Sequence, residues 1–272
     1  MAQTLGANVG AGIYDARVPT LLPPDVHVAA IATAGEVMIN AAGRAGLDAP
    51  VPTCPTWDVR KLVTHQGMVH RWAAANLRGE HDHKTSDSTA EAAAAPDLLG
   101  WLADGVDALL DTIAATPDDA TAMVFLNDAP APRRFWARRQ AHETTIHSVD
   151  AVAAVLGRWP SATDLSISAE LAADGIDELL CGFITRGKGK LQSAEPYTIT
   201  VAADDTRQVW TMHVGDGSLE THLGGVDAPD ATLSGTAVQL YTGLWNRSDE
   251  ITTAGRADVL ADWRAQVRVR WR

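Results

Sequence analysis

Glu143 and His147 stand four residues apart in the string His-Glu-Thr-Thr-Ile-His that begins at His142. Four residues advance a helix by a little more than one turn, so both side chains leave the same face and can reach one ligand. A carboxylate and an imidazole placed in this way are half of the metal site that helical bundles build between facing helices. The string invites comparison with the zinc signature H-E-x-x-H, but that motif needs histidines four apart. His142 and His147 are five apart, about 140° around a helix, and cannot share an ion from a regular helix.

The remaining ligand must come from another segment. The stretch Thr56–Arg78 has the strongest helical signal, with Thr56 as N-cap, Asp58 in the first turn and Gly79 beyond the end. Its apolar stripe runs through Leu62, His65, Val69, Trp72 and Ala73, which turns His65 toward the core and His70, five residues on, away from it. His65, Glu143 and His147 make two histidines and one carboxylate, a set that leaves coordination positions open, as catalytic metal sites do. Asp150, three residues after His147, is a candidate contact behind the ligand or to substrate, or equally a surface carboxylate. Taken alone, a histidine on an apolar stripe is more often a hydrogen-bonded core residue, and Glu143 with His147 can equally be a surface pair. His81 and His83 lie in a polar loop and read as solvated, and His213 and His222 lie among strands with no partner in view.

These residues need elements to hold them. Residues 1–24 are rich in Gly and Pro and read as an arm. From Asp25 the pattern is helical. Residues 79–96 read as a loop, a helix follows over Asp97–Thr116, and a long one runs from Pro132 to Gly157 with Phe135, Ile146, Val149, Ala153 and Leu156 as its stripe. Four helices with short or moderate connections make a bundle over 25–158. After Trp159-Pro160 the pattern changes. One more helix is expected from Asp164 to about Thr185. Alternating runs at 197–203 and 208–214, with SLETHLG and DATLSGT after them, then predict strands, and a short helix is expected over Val238–Trp245. The chain therefore divides into a helical bundle and an α+β domain over 159–272.

Composition narrows the partners. Of 272 residues 46% are apolar but only 6% aromatic, and alanine dominates, which favours closely packed helices. A net charge of -12 disfavours nucleic acid and anionic membranes. Arg264, Arg268, Arg270 and Arg272 form a small basic tail that reads as a solvated edge or a local ion-pair partner. Cys54 and Cys181 are isolated, with no CxxC pair, which fits a reduced cytoplasmic protein. No basic-then-apolar start suggests a signal peptide, and no apolar run of about eighteen residues suggests a membrane span.

The stretch V-P-T-C-P-T-W-D-V-R-K-L-V-T-H-Q-G (51–67) resembles the second-helix signature of the mycothiol-dependent maleylpyruvate isomerase family, with Pro55, Trp57 and His65 in its places. The stretch R-R-Q-A-H-E-T-T-I-H-S-V-D-A (138–151) resembles the fourth-helix motif, whose Glu and His match Glu143 and His147. DATLSGTAVQLYTGLWNR (230–247) is similar to part of the family's C-terminal domain, so the resemblance spans roughly residues 25–272. It implies a DinB-like four-helix bundle followed by a sterol-carrier-like α+β domain. It also implies a divalent metal, zinc in the first instance, on His65, Glu143 and His147, and mycothiol as cosubstrate. It places an arginine of the second domain toward substrate, for which Arg247 is the candidate. The isomerase has a pre-helix motif closer to Leu-Pro-Gly-Trp-Thr where this chain has Cys-Pro-Thr-Trp-Asp, so fold and metal carry over more directly than substrate.

The resulting expectation is a metal-dependent thiol transferase or isomerase, working as a monomer or small homo-oligomer on a small electrophile. Two histidines and a carboxylate also suit a hydrolase with metal-bound water and Asp150 or His142 as base, non-haem iron chemistry, or a non-catalytic binder.

Overall fold

In the computed structural model, residues 22–126, 129–186 and 191–268 are described. The expected arm lies almost wholly outside them, as do Arg270 and Arg272. The helical part comprises α1 (Pro24–Ala45), α2 (Val59–Arg78), α3 (Thr85–Ala94), α4 (Leu98–Ala115) and α5 (Pro132–Leu156). Helix α1 lies along α5 and α2 along α4, around buried Ile31, Met38, Leu62, Leu102, Leu109 and Trp136. Helix α1 is long and apolar enough to cross a membrane, which the sequence reading did not expect. Here it is a packed helix, with Ile31, Met38 and Ala42 at 0% exposure.

Three features of the bundle differ from expectation. The N-cap of α2 is Asp58, whose carboxylate accepts from the Lys61 amide at 2.7 Å, and not Thr56. The intervening residues are held in turns by the Val51 amide on the Trp57 carbonyl and by the Trp57 amide on the Cys54 carbonyl. Within the expected loop 79–96, the Ala-rich run forms α3, which buries Ser88 and Ala92 on one face. Alanine needs little packing to stay helical. Helix α5 shows no stripe: every residue from Phe135 to Ala151 is buried, while Leu156, assigned to the core face, is 36% exposed.

The sheet-bearing part starts with a 3-10 turn at Ala162–Asp164 and extended residues 165–168. Helix α6 (Ala169–Asp177) follows, with Ser168 as its cap, and a π-helical turn over Glu178–Phe183 continues it. The helix expected from Asp164 thus begins only at Ala169, because Ser168 captures the Leu171 amide and starts it late, and it runs on through the π-helical turn to Phe183. Strands β1 (Tyr197–Ala203), β2 (Val209–Val214), β3 (Leu219–Leu223), β4 (Ala231–Gly235) and β5 (Thr252–Gly255) form one sheet in the order β3-β2-β1-β4-β5. Strands β1 and β4 are parallel and the other neighbours antiparallel. Strand β5 is exposed throughout and has no apolar alternation to announce it. Helices α7 (Ala237–Leu244) and α8 (Val259–Gln266) are the last elements among the described residues, and Ile199, Val201, Trp210, Met212 and Leu233 meet α6 and α7 in the core. Gly175 lets α6 approach closely: a Cβ there would lie 2.3 Å from the Tyr241 ring and 2.8 Å from His142 Nδ1. In the basic tail, Arg264 pairs with Asp249 at 2.5 Å.

Candidate metal centre

The i,i+4 face of α5 brings Glu143 and His147 together, and α2 presents His65 across from them. Glu143 Oε1 lies 3.6 Å from His65 Nε2 and 3.5 Å from His147 Nε2, and the three ligand atoms lie within 4.8 Å of one another. Bonds of about 2.1 Å arranged tetrahedrally put ligand atoms about 3.4 Å apart. The Glu143 oxygen therefore stands from each imidazole nitrogen at the separation that one such ion imposes. All three side chains are nearly buried, with 7–9% exposure. Trp57 walls the site, stacked 5.9 Å from the His147 ring and edge-on 5.0 Å from the His65 ring.

A second cluster of the same residue types shows the contrast. His27 from α1, His142 from α5 and Asp174 from α6 also converge, but both imidazole Nε2 atoms meet the same oxygen, Asp174 Oδ2, at 2.7 and 2.9 Å. Arg138 sits on this carboxylate as well, 3.0 Å from Oδ1. Hydrogen-bond distances and a fixed guanidinium describe a proton-bridged ion cluster, not a cation site. His142 also meets Tyr241 Oη at 3.2 Å, so it is committed on the far side of α5, as the five-residue spacing from His147 requires.

Behind each of the two α5 residues of this triad stands a charged pair. Asp150 Oδ2 is 2.9 Å from His147 Nδ1, and since a carboxylate only accepts, Nδ1 carries the proton and Nε2 faces the site. Asp150 in turn accepts from Thr53 at 2.5 Å and from Arg247 Nε at 2.8 Å. Burial works against the Asp150 charge, but the Arg247 guanidinium and His147 outweigh it and hold the carboxyl well below the usual range. The family resemblance implies Arg247 toward substrate, and its guanidinium lies on Asp150. On the other ligand, Arg139 Nη2 donates to Glu143 Oε2 at 2.7 Å, and Nη1 donates to Glu178. Sequence reasoning missed Arg139 and Glu178. The i,i+4 spacing of Arg139 and Glu143 was the available signal.

The remaining histidines are placed elsewhere. His70, expected to face away, is fully buried against α5, bonded to Gln66 at 2.7 Å and Thr144 at 2.9 Å. Burial pushes its pKa down to about 3, so it is a neutral core histidine. His213 and His222 stack on each other at 5.2 Å on the sheet. Burial also lowers the pKa of His65, which keeps that ring neutral and suited to ligation.

Cys54 sits beside this centre, its thiol 3.5 Å from Asp150 Oδ2. Burial and the Asp150 charge push it up to about 12, and burial with Asp177 raises Cys181 further still. Both thiols therefore stay protonated at neutral pH and are poor nucleophiles. A thiol titration of the native protein at pH 8 should show neither cysteine reacting quickly, and both should appear in denaturant. Rapid labelling of Cys54 in the native state would contradict this assignment.

Two family profiles match the chain. One describes the mycothiol maleylpyruvate isomerase N-terminal domain, over residues 28–152, and the other the C-terminal domain of the same family, over 170–265. Among solved structures, a mycothiol-dependent maleylpyruvate isomerase matches with a TM-score of 0.56 at 14% identity. A histidine-to-alanine mutant of such an enzyme matches with 0.58, also at 14% identity. Each match covers 86% of this chain and 93% of the other. Curated protein sequences yield no match.

Proposed function

From a chain that belongs to the mycothiol-dependent maleylpyruvate isomerase family, a family of enzymes, we infer a metal-dependent enzyme that uses a small thiol, mycothiol, against a small electrophile in the cytoplasm. The observation that carries this reading is the spacing of His65, Glu143 and His147, 3.5 to 3.6 Å between the histidine nitrogens and one carboxylate oxygen. These three would hold the ion, and zinc is the proposed one because a nitrogen- and oxygen-donor triad with an open position suits it. When bound, such an ion supplies the positive charge that keeps a coordinating thiol deprotonated at neutral pH.

The chain's own residues do the rest. Asp150 holds the Nδ1 proton of His147, and Arg247 holds Asp150, so the imidazole is fixed in tautomer and direction. Trp57 covers the two rings and limits water at the site. With Cys54 and Cys181 held protonated, the reacting sulfur comes from outside the chain. The hydrolase reading is less well supported. Asp150 has donors on both oxygens and is held strongly acidic, so it is a poor base, and His142 lies in the other cluster.

The test is calorimetric titration of mycothiol into zinc-loaded and chelator-stripped protein, beside elemental analysis. About one metal equivalent per chain, with mycothiol binding that requires it, is the expected result. Mycothiol binding that ignores the metal, or no binding to the zinc form, would overturn the reading.

A further inference from the structure

The guanidinium of Arg139 is clamped on all sides. Its two terminal nitrogens go to different carboxylates, Nη2 to Glu143 Oε2 at 2.7 Å and Nη1 to Glu178. Its carbon lies 5.3 Å from the Phe183 ring centre and 5.8 Å from that of Trp245. Arg139 is 3% exposed and Glu178 1%. Glu178 and Phe183 are the two ends of the π-helical turn, a feature that often marks functional positions.

The clamp has a consequence for Glu143. A carboxylate binds a metal through one oxygen or through both, and the second mode adds one to the coordination number. Oε1 faces the two imidazoles while Oε2 carries the charge-assisted bond from Arg139. We propose that Arg139 is a positioning residue that restricts Glu143 to one-oxygen ligation and thereby keeps a coordination position open for an incoming ligand. Glu178, from beyond the bundle, holds Arg139 in that pose and balances its charge.

This rests on the metal-site reading, and the test separates the two. Cobalt(II) is loaded in place of zinc, because its visible absorption weakens and moves to shorter wavelength as coordination number rises. Arg139→Met should show that change relative to the unaltered protein. Arg139→Lys keeps a cation one turn from Glu143 and should restore the original spectrum, although it cannot span to Glu178 as well. Removing Arg139 alone leaves two carboxylates buried without their cation. The double variant R139M/E178M removes both charges together and protects folding, and it should give the same spectrum as Arg139→Met. If both Met variants bind cobalt with an unaltered spectrum and change only in melting temperature, Arg139 is structural and the proposal is overturned. If the unaltered protein fails to bind cobalt, the metal site itself falls, and this proposal with it.

Discussion

His147→Ala should leave a folded protein that no longer retains metal. Loss of a residue behind a ligand costs roughly 10–100-fold in metal affinity, and loss of the ligand itself should exceed that. Elemental analysis after dialysis should fall from about one equivalent to near zero, and thiol-dependent turnover should fall more than about 100-fold with it. His65→Ala removes the ligand on α2 without touching α5 and should give the same result. Asp150→Asn keeps all three ligands and should show the intermediate loss. The metal-free site also predicts a pH dependence. Burial disfavours the His147 cation, but bonds to Asp150 and Glu143 raise its pKa to about 9. A metal arriving at Nε2 must displace that proton. Apparent affinity should therefore fall about tenfold per unit as pH drops below 9, and each ion bound at pH 7 should release about one proton. Metal retained in His147→Ala, or binding without proton release, would count against the triad.

Asp174→Ala should be the most destabilising single change. It leaves His27, Arg138 and His142 gathered around a missing carboxylate, each of them buried. Removing one partner from a buried charge cluster costs about 3–5 kcal/mol, to be read from urea unfolding. Asp174→Asn keeps the shape and some bonds and should lose less. Burial opposes the Asp174 charge, but His142, His27 and Arg138 outweigh it and hold its carboxyl below the usual range. A depressed pKa contributes stability above the unfolded value, and that contribution is lost as pH falls toward the folded one. The advantage of the unaltered protein over Asp174→Asn should therefore hold at neutral pH and shrink below about pH 4. Metal content per folded molecule should not change, because Asp174 does not touch the triad.

Part of the candidate site was legible from local rules. Helical period puts Glu143 and His147 on one face and the α2 stripe turns His65 inward, but spacing left a core histidine and a surface pair open, and the family resemblance singled out the set that the fold brings together. The two strongest strands were equally plain, since Tyr197–Ala203 and Val209–Val214 alternate. What stood hidden depends on contacts between distant segments. Glu178 pairs with a residue 39 positions away and Asp174 with one 147 away, and nothing in their neighbours marks them. The core face of α5 misled because Phe135 to Ala151 are buried all round, so the apolar period there carries no signal of which face meets solvent. Strand β5 is exposed and short, and it is held by its pairing to β4.

A helix buried on every face belongs to no single half of the chain. The bundle contributes α1 and α2 to its cover, while Asp174, Glu178, Tyr241 and Arg247 contribute the rest. Cutting the chain between α5 and α6 would strip Arg138 and Arg139 of their carboxylate partners beyond the bundle and Asp150 of Arg247, leaving one side of α5 facing water while α1 and α2 still cover the other. Cooperative unfolding is the expected consequence: the two sequence regions that the family profiles separate should melt in a single calorimetric transition, because α5 is the shared beam on which both are hung.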